Sequence, residues 1–188
     1  MNTTEFLYIA QAICPDRTFI VFEGRQWSFA QFNERLNRLA NAFGKLGIQK
    51  GDRIGMLQVN CPQVVEAYFA AAKIGAIFVP LNFRARSEEL VYMIGNAEAS
   101  VLLTGARYFD MVKEMLPQLP LVNTCISVDA RKNDTPFYED LIDSSGSDEV
   151  TAEIGDDDIT MLMYTAGTTG RPKGVPLTHS GFVSYILG

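Results

Sequence analysis

Residues 164–176, YTAGTTGRPKGVP, combine side chains that bind phosphate with a backbone that can approach it closely. Glycine lacks a Cβ, so successive N–H groups in a glycine-rich turn can surround an anion, while hydroxyls and cations add donors and charge. The stretch predicts a phosphate-binding loop, although a surface hairpin between two strands has a similar composition. The residues concerned are the glycines 167, 170 and 174, the threonines 165, 168 and 169, and the cations Arg171 and Lys173.

The spacing excludes the two most familiar nucleotide-binding loops. A Walker loop requires GxxxxGK followed by Ser or Thr, whereas Gly174 follows Lys173 in this chain. The dinucleotide-binding pattern GxGxxG is also absent from the sequence. The loop is therefore of another kind, which argues against a kinase or a GTPase.

The elements around the loop can be predicted from its flanks. Apolar runs at 159–163 and 175–177 predict a strand on each side of the loop. Thr178 is a capping residue for a helix that begins near His179. We expect His179 to have a capping or packing role rather than to act as a catalytic base.

Upstream of the loop, short apolar runs alternate with helical stretches. Such alternation predicts an α/β fold with a largely parallel sheet flanked by helices. The sheet strands are expected at 54–59, 77–79, 101–103 and 125–128, and the helices between them at 62–74, 87–96 and 107–116. A helix at 5–14 and a hairpin formed by 18–22 and 26–28 are expected before them.

Two helices show which of their faces should be buried. Ser28 and Gln31 form a capping box that starts one helix, and Gly47 ends it. Its apolar residues share one face, and its opposite face carries Asn33, Arg35, Asn37 and Arg38. In helix 62–74 the face predicted to pack in the core consists of Val64, Val65, Tyr68, Phe69 and Ala72. The cations Lys73, at the end of this helix, and Arg84 and Arg86, in the chain beyond it, are predicted to be solvated.

The charge of the chain is concentrated in one segment. Residues 134–158 contain ten acids and no Lys or Arg, so the rest has 12 acids against 16 bases, or +4, although the whole chain carries −6. Global acidity therefore indicates nothing about partners. We expect an N-terminal α/β subdomain at 1–133, an acidic linker at 134–158 and the start of a second subdomain at 159–188.

Several function classes find no support in the sequence. There is no basic stripe with interleaved aromatic residues, so we expect no nucleic-acid partner. Cys14, Cys61 and Cys125 are far apart and are expected to be buried free thiols, which suits a reducing, cytoplasmic location. One His and no close Cys pair make a structural zinc site improbable. No secretion signal and no membrane-spanning stretch is evident.

Three stretches, in this order, resemble the adenylate-forming enzymes, which include acyl-CoA synthetases, nonribosomal adenylation domains and firefly-type luciferases. They are WSFAQFNERLNRLANAF at 27–43, AAAKIGAIFVPLN at 70–82 and YTAGTTGRPKGV at 164–175. The resemblance extends over most of the chain. The family signature more often has Ser in place of Ala166, but the backbone N–H that would contact phosphate is kept.

The resemblance implies a two-step reaction. A carboxylate attacks the α-phosphate of ATP to give an acyl-adenylate and pyrophosphate, and the thiol of coenzyme A then takes the acyl group. Mg²⁺ would bridge phosphate oxygens. The ATP-binding residues that the resemblance assigns are Thr165, Ala166, Gly167, Thr168, Thr169 and Gly170 for phosphate contact, and Lys173 for charge neutralisation.

Two alternatives to a CoA ligase stay open. The chain is also compatible with an adenylation domain that loads a carrier protein, or with a nucleotide-binding module without catalysis. The stretch at 54–105 is more similar to the stand-alone CoA ligases, which favours coenzyme A and a carboxylic acid substrate such as a fatty acid.

The family places its adenine-binding segments, its acyl pocket and its catalytic lysine further along the chain than residue 188. We therefore expect these residues to be an N-terminal part of an enzyme and to be inactive alone. We also expect an unpaired strand edge near 159–164, through which the chain would self-associate.

Overall fold

The structure, a computed structural model, describes residues 2–132, 134–150, 152–165 and 170–188. Short 3₁₀ turns lie at Ala106–Tyr108 and Leu116–Gln118. In chain order the helices and strands are α1 (Thr3–Ile13), β1 (Thr18–Phe22), β2 (Arg25–Ser28), α2 (Phe29–Lys45), β3 (Arg53–Leu57), α3 (Pro62–Lys73), β4 (Ile77–Pro80), α4 (Ser87–Asn96), β5 (Val101–Thr104), α5 (Phe109–Met115), β6 (Thr124–Ser127), α6 (Tyr138–Asp143), β7 (Ile159–Thr165), β8 (Lys173–Thr178) and α7 (His179–Leu187).

Six strands form one sheet in the order β6-β5-β3-β4-β7-β8, while β1 and β2 form a separate antiparallel hairpin. The pairs β5–β6, β3–β5, β3–β4 and β4–β7 are parallel, and β7–β8 is antiparallel. Parallel neighbours require crossover connections, which the helices between the strands provide. This architecture confirms the predicted α/β fold with a largely parallel sheet flanked by helices.

Side chains of the central strands alternate between two apolar cores, one on each face of the sheet. Ile54 and Met56 of β3 belong to the core that contains Phe43 of α2. Leu57 belongs to the core that contains Leu90 of α4. Because helices cover both faces, these strands read in the sequence as continuous apolar runs.

The α2 helix begins with the predicted capping box. Ser28 Oγ accepts from the Gln31 N–H at 3.2 Å, and Gln31 Oε1 accepts from the Ser28 N–H at 3.0 Å. The face opposite its apolar residues is also covered, since α1, α3 and α6 pack against α2. Asn33 and Asn37 on this face are consequently only 8% and 7% exposed.

Arg35 of α2 and Glu66 of α3 form an ionic cluster with Tyr138 and Glu139 of α6. The Arg35 Nε donates to Glu66 Oε1 at 2.5 Å, and its Nη2 donates to Glu139 Oε2 at 3.0 Å. Glu66 is 1% exposed and also accepts from the Tyr138 hydroxyl at 3.1 Å. Burial, followed by the charge of Glu66, raises the pKa of Tyr138 well above its ordinary value. The cluster joins three helices whose sequence positions are far apart.

The predicted solvation holds for Arg84 and Arg86, which are exposed, but is wrong for Lys73. Lys73 is 2% exposed, and its Nζ donates to the Tyr8 hydroxyl and to Asn37 Oδ1, both at 2.8 Å. Burial lowers the pKa of Lys73 to about 8. The reason for the error is that α1 packs over the end of α3 and encloses a position that a solitary helix would expose to water.

The predicted core face of α3 is only partly correct. Ala72 is fully buried, but Val64, Val65, Tyr68 and Phe69 are half-buried. The deepest side chains of the helix also include Glu66 and three alanines, Ala67, Ala70 and Ala71. These small residues allow α3 to approach the sheet closely. The prediction missed the alanines because it considered mainly large apolar residues.

The acidic segment 134–158 is held along α2 through its own main-chain carbonyls. Arg38 donates to the Ser145 carbonyl at 2.8 Å, and Lys45 donates to the Ser144 carbonyl at 3.0 Å. The segment also contains the short helix α6. After this segment, β7 and β8 continue the sheet that the earlier strands form.

The predicted position of the free sheet edge is wrong. The β7 strand lies between β4 and β8, so its residues are not at an edge. Among the described strands, β6 and β8 are the two edges of the large sheet. The chain returns after the loop as β8, which pairs antiparallel with β7, so that β8 rather than β7 is the edge strand.

The α7 helix is attached to α1 through His179. The Thr178 hydroxyl caps α7 by accepting from the Gly181 N–H at 3.2 Å, as predicted. His179 is 1% exposed, and its Nδ1 accepts from the Thr3 N–H at 3.2 Å. The packing role is therefore confirmed. Since Nδ1 is an acceptor, the neutral imidazole carries its proton on Nε2.

Acid is expected to weaken the contact between α1 and α7. Burial lowers the pKa of His179; Asp158 and Asp156 oppose this effect, and Lys50 and the N-terminus add to it. The unfolded chain takes up the proton near the ordinary pKa of 6.5, so the stabilisation is complete above that pH and is lost as the pH falls below it.

The variant His179→Asn keeps an acceptor but does not titrate. Denaturant unfolding at about pH 7.5 and about pH 5 should show a larger loss of stability in the wild type than in this variant. Equal losses in the two proteins would contradict the assignment.

The three cysteines are free, as predicted, but they are half-buried rather than fully buried. Burial raises the pKa of Cys61 and of Cys125, so both thiols are kept protonated. Within the described part of the chain, no helix has the length and apolar character that crossing a membrane requires.

Candidate functional site

The hairpin of β7 and β8 brings the two ends of the predicted phosphate loop together. Thr165, the last residue of β7, is the register partner of Lys173, the first residue of β8. The Thr165 hydroxyl donates to the Lys173 carbonyl at 3.5 Å. Two residues predicted to contact phosphate are therefore backbone neighbours at the mouth of the hairpin.

The structure describes only part of the predicted ATP-binding set. Ala166, Gly167, Thr168 and Thr169 lie outside the described residues. Gly170 has φ +136°, a conformation that side-chain-bearing residues rarely adopt. Lys173 is exposed, and its ammonium group forms no ion pair with any residue that the structure describes.

Gly174 permits close packing across the hairpin. It is the register partner of Tyr164, and a Cβ at Gly174 would lie 3.5 Å from the Tyr164 ring and 3.2 Å from Leu162 Cδ1. The Tyr164 ring can therefore lie across the backbone of β8. This contact stabilises the end of the hairpin that carries the loop.

The hairpin lies next to α4, and a cavity of about 510 Å³ separates the two. Gly170, Arg171 and Pro172 line one side of it. Tyr92 and the acidic residues of the first turn of α4 line the other side. No sequence pattern predicts this arrangement, because α4 and the loop are separated by about seventy residues.

A second cavity, of about 660 Å³, lies at the carboxyl edge of β3 and β6. Gln58, after β3, donates from Nε2 to Asp129 Oδ2 at 2.8 Å, and Asp129 Oδ1 accepts from the Ala106 N–H at 2.6 Å. A Cβ at Gly105 would lie 2.5 Å from the Gln58 amide, so any side chain at this position would displace that amide. The polar groups here bind one another, and we assign them no ligand.

The described ends of the loop fit a polyphosphate anion. They supply the Thr165 hydroxyl, the glycine main chain of residue 170 and the exposed Lys173 ammonium group, which has no ion pair with a described residue. The described residues contain no group of three or more His, Cys, Asp or Glu side chains that could hold a metal ion. Magnesium commonly binds through substrate phosphates together with only one or two carboxylates, so a magnesium–nucleotide complex does not require such a group.

Comparison with known proteins identifies the class to which this fold and loop belong. Residues 9–188 match the AMP-binding enzyme family, and the chain belongs to that family. This confirms the resemblance to adenylate-forming enzymes.

The curated relatives and solved structures agree with this assignment. The chain is 37% identical over 174 residues to crotonobetaine/carnitine–CoA ligase of Salmonella paratyphi A, an alignment that covers 87% of this chain. It superposes with a TM-score of 0.91 and 25% identity on an anthranilate CoA ligase in complex with anthranoyl-AMP, covering 95% of this chain and 35% of that one. ATP-bound MatB from Rhodopseudomonas palustris gives a TM-score of 0.84 and 26% identity, with 100% of this chain and 37% of that one covered.

The chain spans about a third of the length of its curated relatives, 34% in the case of the Salmonella ligase. The matched third includes the sheet and the hairpin with its loop. The activity, substrates and partners of a whole enzyme are consequently proposals for this chain.

Proposed function

We propose that the whole protein activates a carboxylic acid with ATP and then transfers the acyl group to coenzyme A. The observation that carries the proposal is the hairpin that pairs Thr165 with Lys173, whose exposed ammonium group has no ion pair with a described residue, in a chain of the AMP-binding family. The naming of CoA ligases among both the relatives and the solved structures supports coenzyme A as the acceptor.

The loop has a defined part in this reaction. A carboxylate oxygen bonds to the α-phosphorus of ATP while the bond to pyrophosphate breaks, so negative charge grows on the leaving group. Preorganised donors that face this charge lower the barrier. We assign phosphate contact to residues 165–170 and charge neutralisation to Lys173, with residues 166–169 included on the basis of their sequence alone. Mg²⁺ would share the phosphate charge.

In the second step the coenzyme A thiol attacks the acyl carbon and releases AMP. The names of the relatives suggest crotonobetaine and carnitine as the first acids to test. Fatty acids, which the sequence favours, come next.

We further propose that 159–188 begin a second subdomain after the 134–158 linker. A cytoplasmic location fits the three free thiols.

ATP–pyrophosphate exchange in the whole protein tests the proposed function. Labelled pyrophosphate should enter ATP only when a suitable carboxylic acid is present, and a CoA thioester should form when coenzyme A is added. The acids to be used are crotonobetaine, carnitine and a series of fatty acids. The 188-residue chain alone serves as a control that is expected to show no exchange.

The alternatives give different results in this assay. An adenylation domain would support exchange but would transfer the acyl group to a carrier protein rather than to coenzyme A. Saturable ATP binding without exchange for any acid would contradict the enzymatic proposal and indicate a nucleotide-binding module.

A further inference from the structure

One face of α4 contacts both ends of the loop hairpin. Tyr92 and Asn96 are four residues apart on this helix, so their side chains lie one above the other on the same face. Asn96 contacts the strand that enters the loop, and Tyr92 contacts the residues that leave it. Each contact is made to a side chain within a few residues of the predicted phosphate-binding positions.

The contact on the entering side is a hydrogen bond. The Tyr164 hydroxyl donates to Asn96 Oδ1 at 2.8 Å, and Tyr164 immediately precedes Thr165. Burial, and next the neighbouring Tyr92, raises the pKa of Tyr164, so the hydroxyl keeps its proton and remains a donor. The absence of a side chain at Gly174 leaves room for the Tyr164 ring on the side that faces β8.

The contact on the leaving side is a cation–π interaction. The Arg171 guanidinium carbon lies 5.1 Å from the centre of the Tyr92 ring, within the range in which a cation is attracted to an aromatic face. Glu88 and Glu89 line the same cavity. The two cations after the loop are thereby distinguished, because Arg171 is directed to α4 while Lys173 has no ion pair with a described residue.

We propose that Tyr92 and Asn96 are positioning residues that hold the two ends of the phosphate-binding loop in a fixed position against α4. The proposal rests on the proposed function for the role of the loop, while the two contacts are observed independently of it. Neither residue is expected to contact the nucleotide. Preorganisation of donors in this way avoids an ordering cost when the anion binds.

The test measures the affinity of the whole protein for inorganic tripolyphosphate with Mg²⁺ by calorimetry. This probe needs neither a carboxylic acid nor coenzyme A. Asn96→Ala should weaken binding about two- to tenfold, the effect of one neutral hydrogen bond. Tyr92→Leu should weaken binding about two- to fivefold, and Tyr92→Phe, which keeps the aromatic face, should restore it.

A second readout follows the ends of the loop directly. Amide hydrogen exchange at Thr165, Arg171, Lys173 and Gly174 should become faster in Asn96→Ala, while amides of β3 keep their protection. Tyr164→Phe combined with Asn96→Ala should be no weaker in tripolyphosphate binding than either change alone, because the two residues form one hydrogen bond.

The outcomes separate this inference from the proposed function. If tripolyphosphate binds as expected but no carboxylic acid supports pyrophosphate exchange, the enzymatic proposal fails and the positioning role stands. Unchanged affinity in Asn96→Ala and Tyr92→Leu, or a wild type that does not bind tripolyphosphate, overturns the positioning role. Additive losses in the double variant would also overturn it.

Discussion

Replacing Lys173 with alanine is expected to slow ATP–pyrophosphate exchange in the whole protein by about 10²- to 10³-fold, the range observed when one donor to a developing negative charge is removed. The reason is that Lys173 is paired with Thr165 at the mouth of the hairpin, and its ammonium group is exposed and forms no ion pair with a described residue. Its charge is therefore available to the leaving pyrophosphate. Initial rates at saturating carboxylic acid measure the effect.

Lys113→Ala is the matched control for this variant. Lys113 is an exposed lysine on α5, away from the hairpin, and its removal changes the net charge by the same amount. It should leave exchange unchanged. Lys173→Arg keeps the charge but changes its geometry, so an intermediate rate is expected. If Lys173→Ala and Lys113→Ala have equal rates, Lys173 has no part in the chemistry.

Replacing Glu66 with alanine is expected to lower the free energy of unfolding by about 3 kcal/mol or more, the usual cost of removing one partner from a buried ion pair. Glu66 is 1% exposed and accepts from both Arg35 and Tyr138. Without it, the Arg35 Nε loses its acceptor, and the Tyr138 hydroxyl keeps only the Gln63 carbonyl at 3.5 Å. For a chain of this size the midpoint of thermal unfolding should fall by about 6 °C or more.

Glu34→Ala is the corresponding control, since it breaks the ion pair with Arg38 one turn away on the same helix. Glu34 is 57% exposed, and such surface pairs contribute less than about 1 kcal/mol. Calorimetric or denaturant unfolding of the two variants gives the comparison. A loss in Glu66→Ala as small as that in Glu34→Ala would show that the cluster contributes little to stability.

The parts of the fold that could be predicted from the sequence are those with local causes. The capping box of Ser28 and Gln31 requires only neighbouring residues, and so does the cap that Thr178 supplies to α7. The alternation of apolar runs with helical stretches predicted a largely parallel sheet because strands buried on both faces must be apolar throughout.

The parts that could not be predicted depend on contacts between distant segments. Periodicity separates the faces of a helix, but it does not show what covers the second face. Arg35 meets Glu66, 31 residues away, and Glu139, 104 residues away. Lys73 was expected in water because nothing in its own helix indicates that α1 encloses it.

In the candidate site, too, features with local causes could be predicted, and features that depend on distant contacts could not. The composition of 164–176 was sufficient to predict a phosphate-binding loop, since glycines, hydroxyls and cations are adjacent in the sequence. The supporting contacts from Tyr92 and Asn96 come from α4, where a tyrosine and an asparagine have no distinctive pattern. Such residues become visible only when the distances between side chains are known.

The bond between Thr3 and His179 has a consequence for synthesis on the ribosome. Its partners are 176 positions apart, so the first helix cannot complete its docking until nearly all of these residues have been translated. At typical elongation rates this delay is roughly ten to thirty-five seconds. During that interval the nascent chain exposes the surface that α7 later covers, and it is then that chaperones would have access to it.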